Sequence, residues 1–386
     1  MASLCSGQLQ DRKDHKAKLR AQPQAQPQLQ PQDQPSSSSS PTSPPAPPTT
    51  MSSTPPSPGD LQAEGLISEV VDIYQQLSAL EADLRPCTVI NELFGRLVGL
   101  SIQTVSEAVT NKFEFQFESE SESDFEFKLH IALQVLSDAR VASILPKLHQ
   151  ICSTAEYYLE FHWASYISGD DASSSPEEVQ SRLEKFPYYG NYTDLTRMEL
   201  SALSSLASPA SPLRKFAFIG SGPLPLTSLC ICSSTSPAPT TVFNIDIALP
   251  AITLSSQLSQ RLGPHGAGMS FTHAPAGDSS TDLRGYDVVY LAALVGGSQE
   301  EKEEALGQVV SRMSAGALLV VRSAERLRRL MYPTFDPTTP RVLQHLDICL
   351  AVHPYNKVVN SVIIGRVKAQ APREERRKSE RRSSKL

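Results

Sequence analysis

Between residues 66 and 163, apolar side chains recur every three or four positions, the spacing of helices that each bury one face. Ile67, Val70, Val71, Tyr74 and Leu77 make one stripe, and Ile90, Leu93, Phe94, Leu97 and Val98 make a second after Pro86. The longest stripe, from Val141 through Ile144, Leu145, Leu148, Ile151, Cys152, Ala155 and Leu159 to His162, predicts a long helix. At about 100° per residue, Glu156, Tyr157 and Glu160 fall off that stripe, on a flank shared with His149 and Ser153. On pattern alone the flank reads as a solvated face. Residues 113–127 alternate Phe with Glu, Gln and Ser; the repetitive Glu-Ser centre predicts a solvated low-complexity insertion over 111–128, with an edge hairpin as the alternative.

From Lys215 the period changes. Short apolar runs at 216–219, 242–246, 269–271, 286–291, 317–321 and 359–365 predict strands, and helical patterns at 250–262 and 299–313 fall between them. Strands alternating with helices predict an α/β fold: a mostly parallel sheet covered on both faces, with ligands at the carboxyl ends of the strands. The first strand runs into Gly220-Ser221-Gly222-Pro223, where two glycines let the backbone turn sharply and approach a ligand. The third glycine of a dinucleotide fingerprint is missing, and Pro223 and Pro225 cannot donate backbone hydrogen bonds. The loop is therefore a poor pyrophosphate cradle and suits a cofactor without phosphates, such as S-adenosylmethionine. Asp246, closing the second strand, is placed either to meet a ribose hydroxyl or to cap the next helix. Upstream, Phe186-Pro187-Tyr188-Tyr189-Gly190-Asn191-Tyr192 predicts an aromatic turn before a helix starting near Thr193 or Asp194.

Composition removes whole stretches from the folded part. Of 386 residues, 30 are proline, and the Pro/Gln/Ser-rich stretch 1–58 cannot bury enough apolar surface to fold. Residues 369–386 form a second tail, basic and without apolar pattern. Between the tails, a helical domain over 59–205 and a Rossmann-like domain over 206–368 are expected. The net charge of -6 hides an uneven distribution, acidic around 114–126 and basic in the final tail, and neither half reads as a nucleic-acid binder, so no such partner is expected. No apolar run reaches the roughly 20 residues that span a bilayer, and no membrane role is expected. The 6 cysteines are scattered, which predicts neither a zinc site nor a disulfide framework and fits a reducing compartment.

The chain also resembles a known family. Asn91-Glu92-Leu93-Phe94 with Leu97-Val98, Leu159-Glu160-Phe161-His162-Trp163, the aromatic turn at 186–192 and the stretch 218–225 resemble nicotianamine synthases. The match continues through 286–296, 320–324, Tyr332-Pro333 with Asp336-Pro337, and 359–364. The resemblance implies an all-α domain packed on a Rossmann-like S-adenosylmethionine domain, with an enclosed chamber between them. It implies transfer of aminocarboxypropyl arms from S-adenosylmethionine to amines, releasing methylthioadenosine and building nicotianamine, a chelator active in metal homeostasis. No resident metal is implied. Under the resemblance the flank becomes the chamber wall, Glu160 the base that deprotonates the acceptor amine and Glu156 the alternative. Tyr188, Tyr189 and Tyr192 would position the amine or orient the carboxylate, and Gly220, Ser221, Gly222, Pro223, Asp246, Ala292 and Leu294 would hold S-adenosylmethionine. A methyltransferase, or a non-catalytic binding protein on the same fold, are the competing expectations.

The sequence departs from the family after the third strand, where Thr272-His273-Ala274-Pro275 replaces the usual acidic residue, and after Leu229, where a loop over 233–241 is expected instead of a compact helix. Ser384-Lys385-Leu386 is the tripeptide read by the peroxisomal import receptor, so a peroxisomal location is expected, with a cytoplasmic one as the alternative.

Overall fold

A 22-residue helix, α1 (Pro58–Ala79), opens the part of the chain that the computed structural model describes, residues 58–103, 122–169, 173–208, 212–234 and 240–369. The expected tails, apart from Pro58 and Ala369, and the first part of the insertion, residues 111–121, lie outside the described residues. Ile67, Val70, Ile73 and Leu77 of α1 are buried against Ile90, Leu93 and Leu97 of α2 (Thr88–Ile102). α3 (Glu122–Ser137) corrects the expectation of an insertion reaching to 128. Its buried Ile131, Ala132, Val135 and Leu136 recur at helical spacing and join the same core, and this packing outweighs the period-two pattern just upstream.

α4 (Ala139–Ser168) is the 30-residue helix that the long stripe predicts, about 45 Å from end to end. Asp138 caps its start by accepting from the Arg140 amide. Its first half buries Val141, Leu148, Ile151 and Cys152 with α1–α3, and its second half buries Ala164 and Ile167 in a different cluster with Leu183, Phe186, Leu224 and Leu258. α5 (Pro176–Leu183) starts at a Ser175/Glu178 capping box. α6 (Tyr189–Leu206) starts earlier than the sequence pattern suggests, so Tyr189 and Tyr192 belong to a first helical turn and Tyr188 is its N-cap. Gly190 and Asn191 cost only about 1 kcal/mol each in helix propensity. Packing of Phe186 against Trp163, Tyr188 and Tyr192 outweighs that.

The remaining strands form one seven-stranded sheet in the order β3-β2-β1-β4-β5-β7-β6. β1 (Lys215–Ile219), β2 (Thr241–Asp246), β3 (Met269–His273), β4 (Val288–Leu291) and β5 (Leu318–Ser323) are parallel. β7 (Ser361–Val367) runs antiparallel between β5 and β6 (Leu346–Val352), the strand that the sequence pattern missed. Alternation sorts the side chains to two faces. Ala217, Ile219, Val289, Leu291, Leu319 and Val321 pack under Leu306, Val309 and Val310 of α9 (Gln299–Val310), whereas Phe216, Phe218, Val288, Tyr290 and Val320 meet Leu195 and Leu203 of α6. β1 is followed by α7 (Leu226–Ser234), which forms because Leu226, Leu229 and Ile231 are all buried; of the loop expected over 233–241, Ser233 and Ser234 instead end this helix, and 235–239 lie outside the described residues. β2 is followed by α8 (Leu249–Arg261). The strand order reverses between β1 and β4, so a crevice opens there, at the carboxyl ends of the strands.

Among the described residues, no helix is long and apolar enough to cross a membrane.

Candidate active site

β1 ends in a turn that only small residues permit. Gly220 and Gly222 take φ of 80° and 67°, the left-handed region. A Cβ on Gly220 would stand 2.7 Å from Val295 Cγ2 and 3.0 Å from Ala292 Cβ, so the chain after β4 lies directly against the turn. Its amide is held by Ile245 O at 2.8 Å, while the Gly222 amide donates to Asp246 Oδ2 at 2.9 Å. The other Asp246 oxygen accepts from Ala248 N at 2.8 Å. Asp246 thus braces the glycine turn and the entry to α8, whose N-cap is Ala248. Ser221 Oγ is buried without a hydrogen-bond partner.

Against this turn α4 presents its acidic flank. A Cβ on Gly222 would stand 2.6 Å from Glu160 Oε2, so that oxygen occupies the space that the missing side chain leaves. The other oxygen, Oε1, accepts from Tyr192 Oη at 2.8 Å. One turn back on α4, Glu156 Oε2 accepts from Tyr332 Oη at 2.9 Å. The result is two carboxylates on one helix face, each steadied by a phenol from a different element.

Burial, and then the charge of Glu156, push the Glu160 carboxyl well above the usual carboxylate range; its hydrogen bond from Tyr192 opposes that rise. Glu156 is raised chiefly by burial, against the hydrogen bond from Tyr332 and the charge of Arg322. Tyr192 and Tyr332 are held protonated by burial and by the two carboxylates. The pair therefore keeps a proton to pH values at which a free glutamate has lost it.

The remaining expected residues divide. Tyr188 is half-buried near Glu156, whose charge joins burial in raising its phenol. Tyr189 turns toward α5, where burial raises its phenol and a hydrogen bond with Gln180 opposes the rise. Pro223 is buried, and Ala292 and Leu294 line the stretch after β4, with the Ala292 amide on Ile219 O at 3.1 Å.

Sequence reasoning assigned no role to Tyr332, Glu199 or Arg322. Arg322, 6% exposed, donates to Glu199 at 2.8 and 3.0 Å and to Thr227 Oγ1 at 2.8 Å, with its guanidinium over the Phe218 ring. The signal for Glu199 was available: it sits between Leu195 and Leu203 on the buried stripe of α6, where a lone acid needs a partner. Among the described residues, no group of three His, Cys, Asp or Glu is placed to hold a metal ion.

The sequence profile of the family "Nicotianamine synthase protein" matches residues 127–371. Nicotianamine synthase 1 of Arabidopsis thaliana is 34% identical over 302 residues, 78% of this chain and 83% of that one. Nicotianamine synthase of Solanum lycopersicum is 33% identical over 302 residues, with the same two shares. Among solved structures, the crystal structure of MtNAS in complex with MTA and tNA superposes with a TM-score of 0.59 at 17% identity, covering 78% of this chain and 98% of that one.

Proposed function

Since the chain belongs to the nicotianamine synthase family, we propose that Glu160 is the base of its reaction and that the glycine turn is the place where S-adenosylmethionine is held. The protein is an S-adenosylmethionine-dependent aminocarboxypropyltransferase that builds nicotianamine. One observation carries the residue assignment: Glu160 stands with one oxygen on Tyr192 and the other in the space beside Gly222.

The residues present fit such a substrate. Gly220 and Gly222 let the turn lie close against Val295, Ala292 and Glu160 where a Cβ would push them away, Ser221 Oγ is an unpartnered buried polar group, and Pro223 stiffens the exit. When bound, S-adenosylmethionine supplies a carbon activated by its neighbouring sulfonium. Bond making from the acceptor nitrogen to that carbon accompanies C–S cleavage, with the electron pair leaving on sulfur as neutral methylthioadenosine. An ammonium has no lone pair, so the acceptor must first lose a proton, and the free Glu160 oxygen takes it at the turn. The elevated proton affinity of Glu160 narrows the gap to an amine and makes that transfer easier. Tyr192 fixes the carboxylate orientation, and Glu156 with Tyr332 places a second negative or proton-sharing group one helical turn away, suited to a cationic substrate. Because the leaving group is neutral, no general acid is required.

Purified protein incubated with S-adenosylmethionine alone should yield methylthioadenosine and nicotianamine. S-adenosylhomocysteine as the adenosyl product would indicate methyl transfer and overturn the reading. Metal homeostasis is the physiological role that a chelating product supports. Ser384-Lys385-Leu386, which lies outside the described residues, supports peroxisomal import through its receptor. An N-terminally labelled fusion should form puncta that become diffuse on deletion of Leu386; a diffuse full-length fusion in import-competent cells places the enzyme in the cytosol.

A further inference from the structure

Lys302 is 1% exposed and lies on the face of α9 that also buries Leu306, Val309 and Val310. Its Nζ donates to Ala293 O at 2.6 Å and reaches Ala292 O and Arg322 O, each at 3.4 Å. Three acceptors match the three N–H groups of an ammonium. All are backbone carbonyls, with no carboxylate among them, so burial of the charge goes uncompensated by an opposite one. Burial accordingly lowers the Lys302 pKa to about 7.

The acceptors share a location. Ala292 and Ala293 follow β4, and Arg322 is near the end of β5, so one side chain ties two neighbouring strand ends at the carboxyl edge of the sheet. The tied stretch is a wall of the site on two sides. Ala292 and Val295 press against Gly220, and Ala293 and Leu294 pack in the cluster that holds Ala155 and Tyr332. A methionine or leucine would fill the same volume without the cost of a buried charge.

We propose that Lys302 is a positioning residue for substrate binding: its three-way clamp fixes residues 292–296 against the glycine turn and so sets the affinity for the adenosyl part of S-adenosylmethionine. It touches none of the reacting atoms. The inference rests on the reading of the turn as the S-adenosylmethionine site. The test compares wild type with Lys302→Met by calorimetry with S-adenosylmethionine and by initial rates. The dissociation constant and KM should rise about tenfold, the loss expected when a charge-assisted contact is removed one step from the ligand, with kcat at saturation within about twofold. An unchanged dissociation constant in the folded variant overturns the inference, as does a kcat loss without a KM change. Should Lys302→Met fail to fold, Lys302→Gln, which keeps two N–H donors, carries the same test with a smaller expected rise. Failure of both to fold would assign Lys302 to stability alone and overturn the proposal. Wild-type protein that does not bind S-adenosylmethionine would instead sink the reading of the site.

Discussion

Glu160 illustrates how one side chain serves activity at the expense of stability. Its carboxyl binds a proton more tightly in the folded protein than in the unfolded chain, because burial and Glu156 disfavour the charge. Between the ordinary glutamate pKa and that raised value, the folded state holds more protons than the unfolded one, so stability falls as pH rises through this window. Glu160→Gln removes the charge and keeps the shape. It should lower turnover by about two to four orders of magnitude while S-adenosylmethionine binding survives. The same variant should melt at least about 2 °C above wild type at pH 8, with the gap closing toward pH 4.5. Wild-type turnover with equal melting curves at all pH values would remove Glu160 from the role. In the wild-type rate profile, the base must be deprotonated, so activity should fall as pH drops through a value above the free carboxylate range. That Glu160 and Tyr192 belong together was legible only through family resemblance; the helical pattern alone set Glu160 on a solvated flank. Tyr332 was less legible still, since its partner Glu156 is 176 residues away and periodicity carries no information across that distance.

Whole elements were easier to read than their ends or their contacts. α1, α2, α4 and the five parallel strands follow from apolar spacing, because all but the edge strand β3 bury one continuous face or run. β6 was missed because Cys349 and Ala351 on its exposed face blur the alternation of Leu346, Ile348 and Leu350 in the sequence. The glycine turn is the element on which the site depends most. Gly222→Ala would force a Cβ to within 2.6 Å of the Glu160 oxygen in a backbone region that side chains avoid. Turnover should fall at least about tenfold, and the dissociation constant for S-adenosylmethionine should rise in the same variant. A variant with unchanged kinetics would show that Glu160 has room elsewhere. Between α6 and β5, the Glu199–Arg322 pair is fully enclosed. Glu199→Gln leaves the guanidinium without its counter-charge and should cost about 3–5 kcal/mol, read as a lower urea midpoint. A midpoint within error of wild type would mean that solvent reaches the pair.

At the scale of the molecule, α4 is anchored in two separate cores, one with α1–α3 and one with α5, α7 and α8. Glu156 and Glu160 lie near its middle and cannot separate or rotate independently, because a helix held at both ends fixes the rise between them at about 6 Å. The acceptor, by contrast, lengthens with every arm added. We predict that this fixed interval gauges the growing acceptor, which would reach the second carboxylate only at a given length, so that product size depends on the distance between the two marks. Glu156→Asp retracts one mark by a single methylene while leaving the helix and Glu160 in place. Because a longer acceptor is then needed to reach the retracted mark, mass spectra of its products should shift toward species with more transferred arms, and an unchanged mass distribution would show that release is timed elsewhere in the chamber.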